Sequence, residues 1–91
     1  MQPIKMYTST WCPDCWRAKH FLKQNGIPFQ EINIEKVDGA VDFVIAANEG
    51  KRRVPTFDLD GRTFHCSPYD PQRLAQQLGL ESGDVNPDRN G

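Results

Sequence analysis

The hydrophobic spacing of this chain changes period at Pro13, and that change constrains the fold more than any other feature. Upstream, "IKMYTS" (residues 4–9) sets Ile4 and Met6 against Lys5 and reads as a short strand. Downstream, Cys15, Ala18 and Leu22 recur at i, i+3 and i+7, with Phe21 widening the stripe, which is the spacing of a helix with one buried face. Proline suits the first helical position, because the N–H it lacks would have no partner there. Asn25-Gly26 supplies a left-handed stop and Pro28 prevents the helix from resuming. A strand, a helix and then another strand favour a parallel strand pair joined by a right-handed crossover.

The second strand is "FQEINI" (residues 29–34), with Ile32 and Ile34 on one face. Val37 to Gly39 reads as a turn, and "AVDFVIAAN" (residues 40–48) as a helix able to bury Ala40, Phe43, Val44 and Ala47. Glu49-Gly50 ends it, and a basic loop from Lys51 to Val54 leads to Pro55. "TFDLD" and "RTFHC" flank Asp60-Gly61, a two-residue hairpin signal. Asp70 is placed to cap a last helix, with Pro71 in its first turn and Leu74 and Leu78 facing inward. The order is therefore β-α-β-α-β-β-α, an α/β domain with a four-stranded mixed sheet and three helices. Residues 81–91, "ESGDVNPDRNG", are polar and rich in breakers, and read as a flexible tail after a domain of residues 1–80.

Ninety-one residues leave room for a single core. A net charge of -1 exerts no general pull on nucleic acid or membrane, and no apolar run approaches the ~20 residues that span a bilayer. "MQPIKMYTS" lacks the long apolar stretch of a signal peptide, so a cytoplasmic monomer is expected. Three cysteines, Cys12, Cys15 and Cys66, are too few and odd in number for a disulfide scaffold. In a reducing compartment a close pair points instead to catalysis or metal binding.

That pair lies in "TWCPDCWRAKHF" (residues 10–21). Cys12 falls where the helix begins, among unpartnered N–H groups and the positive end of the dipole. A thiolate there is stabilised, and its pKa is expected to drop from ~8.5 into the ~3.5–7.5 range of such sites. Cys15, one turn in and facing the core, should be shielded. A fall to ~5 would raise the thiolate fraction at neutral pH about 30-fold and lower intrinsic nucleophilicity roughly 40-fold. Attack thus gains little, and the benefit lies in Cys12 as a leaving group. Asp14 either repels that thiolate or is a solvated first-turn acid, with Arg17 placed to neutralise it.

"WCPDC" after a strand, "VPT" about forty residues later and a hairpin ending in a short helix together resemble a glutaredoxin, within the thioredoxin fold. The resemblance runs over residues 3–80, and Trp11, "NEGKRRVPT" and the Asp-Gly hairpin look most like the glutaredoxin-like proteins that include mycoredoxins. It implies a thiol–disulfide oxidoreductase in which Cys12 is the nucleophile and Cys15 the resolving thiol. It implies a cis Pro55 facing the dithiol, with the Val54 backbone free to pair with an extended thiol tripeptide. Glutathione or mycothiol would be a co-substrate rather than a resident cofactor. Disulfide-containing or thiolated proteins would be partners, with thioredoxin reductase as an alternative electron donor. Three positions depart from the family pattern: Asp14 for a tyrosine, Ser9 for a lysine, and Cys66-Ser67 for a Gly-Gly pair.

The remaining candidates each carry two readings. Among Lys51, Arg52 and Arg53, Arg52 is placed to bind a carboxylate of a thiol peptide, or the run is a solubilising turn. Ser67, Tyr69 and Asp70 could hold a glutamyl group, or Asp70 simply caps. Cys66 is a reactive thiol or a buried small hydrophobe. Trp11 offers an apolar lip for a partner or packs structurally, Trp16 does the same or packs on its helix, and Pro13 is counted with Trp11 among the thiol-binding positions; His20 reads as a solvated helix residue. A metal module using Cys12, Cys15, Cys66 and His65, or a bridged Fe–S cluster, is the competing class, although only one Cys-x-x-Cys is present. No Gly-x-Gly-x-x-Gly occurs, so a nicotinamide cofactor would bind a separate reductase.

Overall fold

The computed structural model describes residues 3–80; the tail expected at residues 81–91 lies outside the described residues. Seven elements follow in the expected order: β1 (Ile4–Thr8), α1 (Pro13–Gln24), β2 (Phe29–Asn33), α2 (Ala40–Ala47), β3 (Thr56–Leu59), β4 (Arg62–His65) and α3 (Pro71–Gln77). They form a thioredoxin-like sheet of order β2-β1-β3-β4. β1 and β2 run parallel, with Ile4 opposite Phe29 and Thr8 opposite Asn33. β3 is antiparallel to β1 and to β4. Among the described residues, no helix is long and apolar enough to cross a membrane.

Helix boundaries follow the local chemistry. Pro13 opens α1, and Asn25 closes it, its side-chain amide donating to the Phe21 carbonyl at 2.9 Å. Gly26 continues at φ 65°, a left-handed conformation that a Cβ would disfavour. In the hairpin, Asp60 (φ 52°) and Gly61 (φ 96°) are both left-handed, as a type I′ turn requires, and the Asp58 carboxylate accepts from the Gly61 N–H at 2.8 Å.

The sheet is covered on both faces. Met6 and Phe57, paired across strands, pack with Cys15, Ala18, Phe21 and Leu22 of α1 and Leu74 and Ala75 of α3. Tyr7 faces the other way, onto Ile34, Ala40 and Val44. Phe43 stacks on Tyr7 at 4.6 Å between centroids; it and Ala47 are only half-buried, and Asn48 caps α2 rather than extending it. Met6, Tyr7 and Thr8 are consecutive and all buried, the mark of a central strand sandwiched between helices. Burying a side chain such as Phe21 contributes about 1.5–3 kcal/mol, and the α1 stripe fixes the helix start against the end of β1.

Candidate active site

Cys12 is the N-cap of α1, with extended backbone (φ −146°, ψ 97°). Its sulfur accepts the Cys15 N–H at 3.1 Å, the bond that a serine or aspartate oxygen makes at most helix starts. The Cys12 carbonyl takes the Trp16 N–H, and Pro13 has none to offer, so the Cys15 N–H is the first-turn donor that reaches the sulfur. Cys12 and Cys15 form a disulfide, with Cα atoms 5.1 Å apart. The two sulfurs differ in access: Cys12 is half-buried, whereas Cys15 is 3% exposed and part of the core.

Val54, near the end of the basic loop, lies against the dithiol. The Val54–Pro55 peptide bond is cis, and the Val54 carbonyl oxygen is 3.7 Å from the Cys12 sulfur. This segment is tied down from behind. The buried Thr56 hydroxyl donates to the Arg53 carbonyl at 2.6 Å and accepts from the Asn48 amide at 3.0 Å; that amide also reaches the Val44 carbonyl at 2.8 Å. The Cys66 N–H donates to the Pro55 carbonyl at 3.0 Å. Asn48 lies in no sequence motif, and Thr56 closes the "VPT" motif without the motif saying what its hydroxyl does; the role of both emerges only once α2 meets β3.

The remaining candidates divide by position. Trp11 is 93% exposed beside the dithiol. Trp16 is also exposed, but its ring stacks on His20 one turn on, so His20 is engaged rather than simply solvated. Arg52 is exposed and close enough to Glu35 to act on its charge. The Glu35 carboxyl is held below its ordinary value first by the Thr10 N–H, then by the Thr10 hydroxyl, and more weakly by Arg52 and Lys36. Arg53, its neighbour, turns toward β4 and α3, where it and Arg73 help to hold His65 below the usual imidazole value, although burial is the larger cause.

Asp70 caps α3, accepting from the Gln72 and Arg73 N–H groups at 3.0 and 3.4 Å, which engages the donors considered for a glutamyl group. The Ser67 N–H donates to His65 Nδ1 at 3.3 Å, and the Ser67–Pro68 bond is a second cis bond that the sequence did not flag. Cys66 is 1% exposed and belongs to the same core cluster as Cys15. Burial pushes its thiol up, opposed by the Asp70 N–H and Arg73 and reinforced by Asp70 and Asp14. The Asp70 N–H donates to its sulfur at 3.5 Å. Among the described residues, no three His, Cys, Asp or Glu side chains converge as a metal site would require.

Comparison with known proteins agrees with this geometry. The family model Glutaredoxin matches residues 4–64. A protein of Mycobacterium tuberculosis named as a glutaredoxin is 41% identical over 62 residues, which is 67% of this chain and 74% of that one. The crystal structure of a glutaredoxin from Archaeoglobus fulgidus superposes with a TM-score of 0.70 at 26% identity, covering 86% of this chain and 87% of that one. A buckwheat glutaredoxin solved in complex with glutathione shares the fold at 21% identity, with a TM-score of 0.63, covering 91% of this chain and 76% of that one.

Proposed function

The chain belongs to the glutaredoxin family of thiol–disulfide oxidoreductases, and from that premise we propose that it reduces protein disulfides and mixed disulfides at the expense of a low-molecular-weight thiol, through Cys12 and Cys15. The observation that carries the reading is the Cys12 sulfur at the head of α1, bonded to Cys15 and accepting its N–H. In the reduced protein the same N–H stabilises a Cys12 thiolate, a charge-assisted bond worth about 1.5–3 kcal/mol.

The steps balance as follows. The Cys12 thiolate attacks one sulfur of the substrate disulfide; that bond breaks, and the departing thiolate takes a proton from solvent. The mixed disulfide on Cys12 is then opened by Cys15, which loses its proton, bonds to the Cys12 sulfur and expels the second substrate thiolate. Two electrons have passed to the substrate, and the protein rests in the disulfide form described above. Two molecules of glutathione or mycothiol restore the dithiol and leave as their own disulfide. For a thiol-capped protein, a small thiol can clear the Cys12 adduct without Cys15.

Roles follow for the surrounding residues. An extended thiol peptide pairs with the Val54 backbone beside Cys12, and the Pro55 ring lies next to it. Arg52 attracts a carboxylate of that peptide, while Ser67 and Asp70 border its other end. Trp11 and Pro13 offer the partner protein an exposed apolar lip. Glutathione as the small thiol is supported by membership of the glutaredoxin family, whose proteins generally use glutathione-type thiols.

The test is a coupled NADPH assay in which glutathione, mycothiol or thioredoxin reductase is supplied separately. Activity with a small thiol that disappears in Cys12→Ser is expected. Activity that survives Cys12→Ser, or that requires thioredoxin reductase and ignores both small thiols, contradicts the reading.

A further inference from the structure

Behind the Val54–Pro55 segment, on the α2 face of the sheet, lies a cleft of about 320 Å³ that this chemistry does not use. Strand pairing explains its floor. His65 is the cross-strand partner of Thr56 and so shares the face on which Thr56 meets Asn48. Phe57 and Phe64 alternate to the opposite face, stacked at 5.0 Å, and Phe64 also lines the cleft where it passes the edge strand β4. Asn48, Glu49, Lys51 and Arg53 form the walls, and α3 contributes Arg73.

Charge distinguishes this cleft. Lys51, Arg53 and Arg73 converge against one carboxylate, Glu49, in a chain whose net charge is -1. Among the described residues, none of the three cations makes a salt bridge. His65 Nδ1 accepts the Ser67 N–H, so in the neutral ring Nε2 carries the hydrogen and is a further donor. The cleft therefore offers cations and donors in excess of acceptors.

We propose that this cleft docks an acidic segment of the disulfide-bearing partner protein, with Asp or Glu side chains within about five residues of the attacked cysteine, about 17 Å of extended chain at ~3.3 Å per residue. The proposal rests on the protein-disulfide reading above. Arg53 directly precedes Val54, whose carbonyl lies 3.7 Å from the Cys12 sulfur, so a peptide seated along Val54 has the cleft beside it. Converging cations steer and hold acidic partners and discriminate against basic ones.

The test compares single-turnover reduction, by the reduced protein, of two disulfide-bonded peptides of equal length. One carries Asp and Glu around its cysteine; the other carries Asn and Gln. The acidic peptide should react about tenfold faster at low salt, as expected for three modest charge pairs, and the preference should vanish near ~1 M salt, where the screening length is about 3 Å. The double variant Lys51→Gln, Arg73→Gln should cut the preference several-fold without slowing the neutral peptide, and Glu49→Gln should raise it. In the oxidised protein, the acidic peptide with serine for cysteine should raise the His65 titration midpoint seen by NMR. Equal rates for the two peptides overturn the cleft and leave the oxidoreductase reading intact. An equal loss of preference in Lys23→Gln, at the far end of α1, also overturns it. Reduction of neither peptide, with the His65 shift still present, contradicts the oxidoreductase reading and leaves the cleft as an acidic-peptide site.

Discussion

Replacing Thr56 with valine tests how the Val54 segment is held over the dithiol. Thr56 is fully buried, and its hydroxyl makes two bonds: it donates to the Arg53 carbonyl at 2.6 Å and accepts from the Asn48 amide at 3.0 Å. Valine keeps the shape and removes both. Each lost bond costs about 0.5–1.5 kcal/mol, and the stranded Asn48 donor adds about 1 kcal/mol of desolvation penalty. The sum is about 2–4 kcal/mol, a large share of the stability of a small domain. At ~4–8 °C per kcal/mol for a domain of this size, Tm should fall by about 8–30 °C. Thermal unfolding of the oxidised protein measures this, with Thr56→Ser, which keeps the hydroxyl, as the control. The variant should also raise KM for the thiol co-substrate, because the Arg53 carbonyl and with it Val54 lose their anchor. A Tm drop no larger in Thr56→Val than in Thr56→Ser would refute the reasoning.

Three further outcomes are expected. Arg52→Ala should raise KM for the small thiol more than it lowers kcat, and an unchanged KM counts against carboxylate binding at that exposed guanidinium. Asp14→Asn should lower the Cys12 pKa by removing a carboxylate two residues from Cys12, read from the thiolate's ultraviolet absorbance in a pH titration; no change or a rise would contradict it. Burial pushes the Cys66 thiol up, so the native state keeps a proton that the unfolded chain releases above its ordinary value of ~8.5. Stability from this source is complete below ~8.5 and is lost as pH rises toward the folded value, so Cys66→Ala should flatten the alkaline decline in urea-unfolding free energy. A decline as steep in the variant as in the parent would rule out Cys66 as its cause.

Local chemistry made much of the architecture legible. Pro13, the α1 stripe, Asn25-Gly26, Asp60-Gly61 and Asp70-Pro71 each fix one boundary through contacts within a few residues, and the structure has each boundary there. The position of Cys12 at the head of α1 followed from the same reasoning. Features set by distant partners were not legible. Met6, Tyr7 and Thr8 are buried without alternation because helices cover both faces of β1, a fact that no window of β1 contains. The basic run splits, Arg52 toward Glu35 and Arg53 toward His65 and Arg73, because β4 and α3 supply the second half of the cleft. The Asn48–Thr56–Arg53 chain likewise exists only when the end of α2 packs on β3.

The most direct measurement of the central claim is the pH dependence of alkylation at Cys12 in the reduced protein, with labelling located by mass spectrometry. The account predicts rapid labelling of Cys12, titrating well below the ~8.5 of an ordinary thiol, while buried Cys66 stays unlabelled until the protein unfolds. A Cys12 rate that rises only through ~8.5, at the pace of an unstructured thiol, would contradict it.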